Sequence, residues 1–412
     1  MGSPSGRRVT VVLCDPAGTW LGALPPVDLP SPWYPNAEDV IESVRKQAGV
    51  DVTVLRLLDA DQPPSHRGGG KVIVLAQVQP GQPTTRRLEP VPHVAKSARA
   101  DHRLRAAYAR PGGPQADLAW AEGVLARRGT PRIGAPRQIR TWNLSCIWVL
   151  PTAQGPVWLK SVPPFFGHEG AMIEMLASVT DAVPALLGRD DGRVLLGDVP
   201  GVDQCDAPAR VLRQMLQVLV GMQVALIGRV DSVLATGAFD WRPPRFDDLA
   251  ADVVDRTADQ LDMRTRAALT RILAGLPKRQ AALAACGIPD TLVHGDFHPG
   301  NVHGGTDGLV ILDWADSGVG HPLLDQSVFL ERVPQADQPL LRAFWSALWR
   351  AVIPDCEPDR AAGLLAPIAA LRQAVIYRFF LDRIEPAEHL YHAADPAVWL
   401  AKAALTATNA AE

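Results

Sequence analysis

The most informative segment of the chain is His294-Gly295-Asp296-Phe297-His298-Pro299-Gly300-Asn301. The apolar run 309–312 follows it and leads directly into Asp313. A short apolar run at residues 291–293 precedes the stretch. Both apolar runs predict strands. Each strand delivers the chain into acidic and amide side chains, with an asparagine five positions after the first aspartate. We therefore predict a strand–loop–strand unit in which three oxygen-bearing side chains converge.

These residue types suit the transfer of a phosphoryl group. In a site with this D-x-x-x-x-N spacing, a carboxylate such as Asp296 orients the acceptor hydroxyl and takes its proton, while Asn301 and Asp313 hold Mg²⁺ on nucleotide phosphates. Hard cations and accurate positioning supply most of the catalysis. The alternative is an ordinary turn, because Asp, Asn and Gly dominate turns. The loop spacing and the second acidic strand end occur together, which favours the catalytic interpretation.

The two motifs, H-G-D-F-H-P-G-N-V from His294 and I-L-D-W-A-D from Ile311, strongly resemble those of the aminoglycoside phosphotransferase and choline kinase-like superfamily. The resemblance covers about residues 137–412. It implies an α+β, bilobal protein-kinase-like fold with a small β-rich N-lobe and a helical C-lobe. It also implies that Asp296 is the catalytic base, that Asn301 and Asp313 are magnesium ligands, and that ATP or GTP is the phosphoryl donor.

A lysine and a glutamate upstream match the ion pair of kinases. Lys160 ends a predicted strand and Glu169 lies on the next predicted helix, an arrangement in which the lysine contacts the α- and β-phosphates. Taken alone, such residues are commonly solvated. Their position ahead of the catalytic loop favours the functional role. Glu174 is a rival partner for Lys160, and we prefer Glu169 because it lies near the predicted start of the helix.

The N-lobe lacks the glycine-rich loop of protein kinases. The sequence Thr141-Trp142-Asn143-Leu144-Ser145 leads into the first predicted strand instead. Small-molecule kinases of the group that it resembles often use a serine-containing turn there. Asn143 and Ser145 are therefore candidates for phosphate contact, and an ordinary turn at the strand entry is the alternative.

Three further residues are expected to support the catalytic loop. Histidines beside a catalytic carboxylate more often fix the loop by hydrogen bonds than contact phosphate, and we favour that role for His294 and His298. Asp325 matches a family aspartate that usually braces the loop. None of the three is assigned a catalytic role.

The N-terminal region, residues 1–91, predicts a small α+β domain with strands around one helix. The helical run 40–50 has the shape of a Nudix hydrolase box, but Ser43, Lys46 and Gln47 occupy positions where that box needs acids. Divalent cations prefer carboxylate oxygens. We therefore expect a degenerate Nudix-like module without hydrolase activity, or an unrelated α+β cap.

Three more segments follow this domain in the sequence. Residues 92–136 predict a linker and a connecting helix, because Pro, Gly and Arg recur there without a sustained apolar period. The kinase-like N-lobe is predicted at 137–202 and the helical C-lobe, with the catalytic loop, at 203–412. Near the C-terminus, acidic and basic residues alternate in a mixture that predicts a solvated helix face: Arg378, Asp382, Arg383, Glu385 and Glu388.

Composition limits the partners and the compartment. The 412 residues carry a formal net charge of −3 and no long basic run, so nucleic acid is not an expected partner. Five cysteines are scattered without a C-x-x-C pair, which favours a reducing compartment, and we expect a cytoplasmic protein. No signal peptide or membrane span is predicted.

The function predicted from the sequence is transfer of the γ-phosphoryl group of ATP or GTP to a hydroxyl of a small molecule. The acceptor class remains open among an aminoglycoside or other antibiotic, an amino sugar and another metabolite. The alternative is a pseudokinase or nucleotide-sensing scaffold whose N-terminal module binds a partner. Asp296, Asn301, Asp313 and Lys160 are all present, which favours turnover.

Overall fold

In the computed structural model, which describes residues 6–61, 69–82, 87–305 and 308–409, the chain forms two compact units. The first comprises Met1–Gly167, Leu186–Asp198 and Phe380–Ala393. The second comprises His168–Ala185, Val199–Phe379 and Ala394–Glu412. Each unit is built from three separate segments of the chain. The domains predicted from the sequence were continuous ranges and therefore do not coincide with these units.

The first unit begins with a five-stranded sheet and one helix: β1 (Arg7–Cys14), β2 (Trp20–Ala23), β3 (Val27–Leu29), α1 (Glu38–Ala48), β4 (Val52–Ala60) and β5 (Gly70–Val78). The strand order is β2-β1-β5-β4 with β3 also on β1, and β1 runs parallel to β5. Val40 and Val44 of α1 pack with Val9 and Val11 of β1 in the core. The helix ends at Gly49, whose φ of 68° favours glycine.

The segment predicted as a linker is packed into the first unit. It forms two 3₁₀ turns, His93–Arg99 and Ala107–Ala109, before α2 (Gly113–Arg127). Tyr108 is buried and donates a hydrogen bond to the Trp142 carbonyl at 2.9 Å. Such contacts join residues far apart in the sequence and cannot be predicted from local composition. The prediction of a linker before α2 is therefore wrong for the residues that pack here.

A second, antiparallel sheet follows in the same unit, made of β6 (Arg137–Thr141), β7 (Cys146–Thr152), β8 (Gly155–Ser161), β9 (Leu186–Asp190) and β10 (Arg193–Gly197). Its order is β6-β7-β8-β10-β9. β6 and β9 were not predicted, because R-Q-I-R-T and L-L-G-R-D lack apolar alternation. Val124 and Leu125 of α2 pack on this sheet with Trp148.

The two sheets of the first unit are joined by hydrogen bonds. The amide of Gln138 accepts from the Val54 N–H at 2.9 Å and donates to the Val54 carbonyl at 2.7 Å. The Thr141 N–H donates to the Pro35 carbonyl at 2.9 Å. The N-terminal sheet is therefore an integral part of this unit.

The second unit is mostly helical: α3 (Glu169–Leu176), α4 (Ala209–Ala225), α5 (Val230–Leu234), α6 (Arg245–Thr257), α7 (Met263–Ala284), α8 (Leu324–Glu331), α9 (Gln338–Val352), α10 (Pro358–Leu381) and α11 (Asp395–Asn409). The last two residues of α10 belong to the first unit. The sequence predicts helices at 207–227, 246–257, 263–286, 323–332, 337–351, 359–383 and 396–405, and the structure has helices within a few residues of these bounds. The sequence also predicts that the helix containing Glu169 ends before Pro184, but α3 ends at Leu176.

Six short strands interrupt these helices: β11 (Val202–Asp203), β12 (Phe239–Asp240), β13 (Thr291–Val293), β14 (Val302–Gly305), β15 (Gly308–Ile311) and β16 (Gly318–Gly320). They form two three-stranded sheets, β11-β14-β15 and β12-β16-β13. The sequence predicted β13 and β15 only, since each of the other four strands holds a single apolar residue and shows no apolar run.

One described helix, α10, is long and apolar enough by length and composition to cross a membrane. However, 67% of its most apolar stretch is buried inside the protein. Core helices pass the same test, so α10 is weak evidence for a membrane span.

Candidate active site

The strands β13, β14 and β15 carry the catalytic-loop motifs. β13 ends immediately before His294, and β14 pairs with β15 in the register Val302 to Ile311. The Leu312 N–H extends this pairing with a hydrogen bond of 2.8 Å to the Asn301 carbonyl. The hairpin therefore fixes Asn301 beside the residue that precedes Asp313.

Asp296 and Asn301 are in direct contact. The side-chain amide of Asn301 donates to the Asp296 carbonyl oxygen at 3.0 Å and to its Oδ2 atom at 3.2 Å. The Asp296 side chain is 40% exposed. Nε2 of His298 lies 3.5 Å from the same Oδ2 atom, while its Nδ1 accepts from the Gly300 N–H at 3.0 Å. The contacts leave this carboxylate both oriented and accessible.

Asp313 has a strained backbone. Its φ of 62° and ψ of 65° lie in the left-handed region, and it is the one non-glycine residue with positive φ among those described. Such conformations cluster at functional sites, where neighbouring contacts maintain them. Here the Trp314 indole donates to the Ile311 carbonyl at 3.0 Å, and the Ser317 hydroxyl donates to the Trp314 carbonyl at 2.6 Å. The turn leaves Asp313 exposed.

His294 is fully buried and uses both ring nitrogens for hydrogen bonds. Nδ1 accepts from the Asp296 N–H at 3.2 Å, and Nε2 lies 3.0 Å from the Leu312 carbonyl. Burial lowers the pKa of His294, which favours the neutral ring that these two bonds require. The ring thus supports the loop by hydrogen bonds, as expected from the sequence.

Asp325, at the start of α8, holds the main chain in front of Asp296. Its Oδ2 atom accepts from the His294 N–H at 2.9 Å and its Oδ1 atom from the Gly295 N–H at 2.8 Å. Gln223 on α4 donates to Oδ2 at 3.1 Å. Burial raises the pKa of Asp325, and the contact with His294 and these backbone donors oppose the rise. The bracing expected of this aspartate is present.

One residue of this site was missed from the sequence. The guanidinium of Arg372, on α10, donates from Nη1 and Nη2 to the Gly295 carbonyl at 3.2 and 3.3 Å. The sequence does contain one indication of this residue, because Arg372 is the only charged residue in the mostly apolar run 364–376. Buried charges require partners, so this position called for an explanation.

Lys160 and Glu169 lie in different units. Lys160 is on β8, opposite Ile147 of β7 and Val194 of β10. Glu169 is buried in the first turn of α3, whereas Glu174 is exposed. The prediction that Glu169 lies at the start of the helix is confirmed. Its pairing with Lys160 stays a prediction.

Asn143 and Ser145 form the turn between β6 and β7. The Trp142 indole donates to the Ser145 hydroxyl oxygen at 2.9 Å, and the Trp142 N–H donates to the Ser145 carbonyl at 3.0 Å. Asn143 is 7% exposed, and its two polar side-chain atoms have no hydrogen-bond partner within the part of the chain described. A buried amide without hydrogen-bond partners is costly.

The box-like helix α1 carries no acidic cluster. Lys46 forms an ion pair of 2.6 Å with Glu42, and Gln47 donates to the Ser43 hydroxyl at 3.1 Å. Across residues 6–61, 69–82, 87–305 and 308–409, no group of three His, Cys, Asp or Glu side chains is placed to hold a metal. The resemblance to a Nudix module is not confirmed.

The acidic residues near the C-terminus do not all face solvent, contrary to the predicted solvated face. Glu385 and Glu388 are buried in the first unit. Arg105 donates to Glu385 from Nε at 3.0 Å and from Nη2 at 2.8 Å. The mixed charge reflects buried ion pairing over a long sequence separation, which charge patterning cannot distinguish from solvation.

Comparisons with known proteins identify a family for this chain. Residues 171–397 match the phosphotransferase enzyme family, a range that includes the catalytic loop and Asp313. A search of curated proteins found no significant match.

Solved structures share the fold at low sequence identity. A type I macrolide 2′-phosphotransferase is 19% identical with a TM-score of 0.52, covering 69% of this chain and 97% of its own. A protein of Ralstonia eutropha JMP134 assigned as an aminoglycoside phosphotransferase is 16% identical with a TM-score of 0.51, covering 71% and 98%. A macrolide 2′-phosphotransferase of Brachybacterium faecium is 18% identical with a TM-score of 0.48, covering 68% and 98%.

These similarities confirm the predicted kinase-like fold for the greater part of the chain. The matched family range also spans more than half of the 412 residues. The chain therefore belongs to the phosphotransferase enzyme family.

Proposed function

We propose that this protein transfers the γ-phosphoryl group of ATP or GTP to a hydroxyl of a small molecule, with Asp296 as the catalytic base. The observation that carries the proposal is the geometry of Asp296. Its carboxylate is 40% exposed and is oriented by the Asn301 amide at 3.2 Å. A base must be both accessible to the acceptor and held in one orientation.

The donor set near Asp296 fits a magnesium ion bound together with a nucleotide. Mg²⁺ prefers one or two protein oxygens, with phosphates and water completing its shell. The Asn301 amide nitrogen bonds to Asp296, so the amide oxygen is the ligand atom of that side chain. Asp313 adds an exposed carboxylate. When bound, the ion would neutralise charge on the transferring phosphoryl group.

The chain's own residues then have separate roles. Asp296 accepts the proton of the acceptor hydroxyl, while Asn301 and Asp313 hold the metal. Lys160 contacts the α- and β-phosphates, and Glu169 orients Lys160. Asn143 and Ser145 contact phosphate at the turn between β6 and β7, where the buried amide of Asn143 supports a polar ligand.

A substrate panel tests the proposal. Purified protein would be incubated with Mg·ATP or Mg·GTP and with kanamycin, erythromycin, glucosamine or choline, and acceptor-dependent ADP or GDP release would be measured. We expect release with at least one acceptor and its loss in Asp296→Asn. Nucleotide binding without turnover for any acceptor would favour the nucleotide-sensing scaffold instead.

A further inference from the structure

The peptide bond between Gly295 and Asp296 is held on both sides. Its carbonyl oxygen accepts from the two terminal nitrogens of Arg372 at 3.2 and 3.3 Å. Its N–H, which belongs to Asp296, donates to Nδ1 of His294 at 3.2 Å. Because a peptide group is planar, these two contacts fix the plane from which the Asp296 side chain departs.

Arg372 is itself tightly held. It is 1% exposed, and its guanidinium carbon lies 4.8 Å from the ring centroid of Trp241, which stacks on Phe239. Three carboxylates, those of Asp296, Asp316 and Asp325, attract its charge. Burial alone disfavours a guanidinium, so the carboxylates and the ring are what stabilise it here.

The approach between the loop and α10 requires glycine at position 295. Gly295 has a φ of 94°, and a Cβ atom there would lie 2.7 Å from Nη2 of Arg372 and would collide with the Asp316 carbonyl. The Gly295 N–H donates to Asp325 at the same time. The main chain before Asp296 is therefore clamped between α8 and α10.

We propose that Arg372 is a positioning residue for Asp296, acting through the Gly295 carbonyl. The proposal rests on the proposed function, in which Asp296 is the base. Without the guanidinium, the peptide plane loses one of its two anchors and the carboxylate samples other orientations. A displacement of about 1 Å at a reacting group can lower turnover about 100-fold.

The test compares Arg372→Met, Arg372→Lys and Leu371→Ala in the full-length chain. Leu371 is buried on the same helix, so its truncation destabilises α10 without removing a bond to Gly295. We expect Arg372→Met to lower kcat about 10- to 100-fold with the KM for nucleotide within about two-fold. Arg372→Lys should recover part of kcat, because an ammonium can still donate to the Gly295 carbonyl.

A second measurement needs no acceptor. Hydrogen exchange of the segment 293–297 should accelerate in Arg372→Met and stay near the wild-type rate in Leu371→Ala. An unchanged kcat in Arg372→Met would overturn the proposal, as would equal losses in Arg372→Met and Leu371→Ala or no recovery in Arg372→Lys. If Arg372→Met does not fold, Arg372→Lys is compared with the wild type instead, because its single ammonium replaces a contact made by two nitrogens. An unchanged kcat and an unchanged exchange rate in Arg372→Lys would then overturn the proposal.

Failure of the proposed function is distinguishable from failure of this inference. Turnover that survives Asp296→Asn removes the assigned base and the proposed function with it. Turnover that depends on Asp296 but not on Arg372 removes only the positioning role. The kinetic assay uses the best acceptor of the panel, or slow hydrolysis of Mg·ATP if no acceptor is found.

Discussion

Nε2 of His294 lies 3.0 Å from the carbonyl oxygen of Leu312, the residue before Asp313. The other nitrogen of the same ring accepts the N–H of Asp296 at 3.2 Å. One buried, neutral imidazole thus connects the main chains that carry the two carboxylates of the site. These contacts to the main chain fix the backbone of Asp296 relative to that of Leu312.

Replacement of the assigned base should abolish turnover but not nucleotide binding. We expect Asp296→Asn to lower kcat by about 100- to 1,000-fold, because the amide cannot accept the acceptor's proton. Steady-state kinetics and calorimetry with Mg·ATP measure the two effects. Asp248→Asn removes an exposed carboxylate of α6 and serves as the control, with activity near wild type. Near-wild-type kcat in Asp296→Asn would contradict the assignment.

Loss of the assigned metal ligand should act on binding as well as turnover. We expect Asp313→Ala and Asp313→Asn to lose the magnesium-dependent part of nucleotide affinity, because both lack the carboxylate. Calorimetry with and without EDTA measures it. Asparagine tolerates the left-handed conformation of residue 313 better than alanine does. If magnesium-dependent affinity is lost in Asp313→Ala but kept in Asp313→Asn, the loss comes from the backbone conformation. That result would contradict the assignment of Asp313 as a metal ligand.

Replacing Glu388 or Glu385 by glutamine should change the free energy of unfolding in opposite directions. Burial raises the pKa of Glu388 from 4.5 to about 8, so the folded state holds a proton that the unfolded state releases. The free energy of unfolding is therefore not reduced by Glu388 below pH 4.5. Between pH 4.5 and pH 8 it falls by up to about 1.4 kcal/mol per pH unit. Glu388→Gln should consequently raise the free energy of unfolding at pH 7 to 8.

The matched control is Glu385→Gln, which leaves the buried Arg105 without its carboxylate. It should destabilise the protein by about 3 kcal/mol. Urea unfolding at pH 5 and pH 8 distinguishes the two substitutions. Equal effects of the two variants would show that Glu388 is ionised in the folded protein.

Lowering the pH should lower the free energy of unfolding through the buried His321. Burial lowers the pKa of His321 from 6.5 to about 3, so below pH 6.5 the unfolded state binds a proton that the folded state refuses. This group should cost about 2 kcal/mol of stability between pH 7 and pH 5. His321→Asn keeps an acceptor for the Leu323 N–H and should flatten that slope. An unchanged slope in urea unfolding would refute the role of His321.

The N-terminal sheet should have no hydrolase activity of its own. Helix α1 has Ser43, Lys46 and Gln47 where a hydrolase box needs acids. Its three acidic residues each pair with a basic side chain: Glu38 with Arg137, Asp39 with Arg7 and Glu42 with Lys46. Full-length protein carrying Asp296→Asn would be incubated with Mg²⁺ and ADP-ribose, and AMP release would be followed. We expect none. Mg²⁺-dependent hydrolysis that persists in this variant would make the chain bifunctional.

Local spacing in the sequence was enough to predict the loop 294–301 and its proposed chemistry. Asp296 and Asn301 are five residues apart, and the short strands on either side have patterns that predict them. The same local reasoning predicts strands at 9–13, 52–58, 72–78, 144–150, 156–162 and 194–196, which are found as β1, β4, β5, β7, β8 and β10, and it predicts the long helices. It failed for β6, β14 and β16, because each holds one apolar residue and no apolar alternation marks it.

Only the tertiary structure decided which distant residues support the loop and how the first unit is assembled. Arg372 contacts Gly295 across 77 positions, and Glu385 pairs with Arg105 across 280. In the sequence, Arg372 is one charge in an apolar helix and Glu385 is one acid in a mixed run. A buried charge is stabilised by whichever partner the fold brings within hydrogen-bond distance, and this depends on packing between elements rather than on neighbours along the chain.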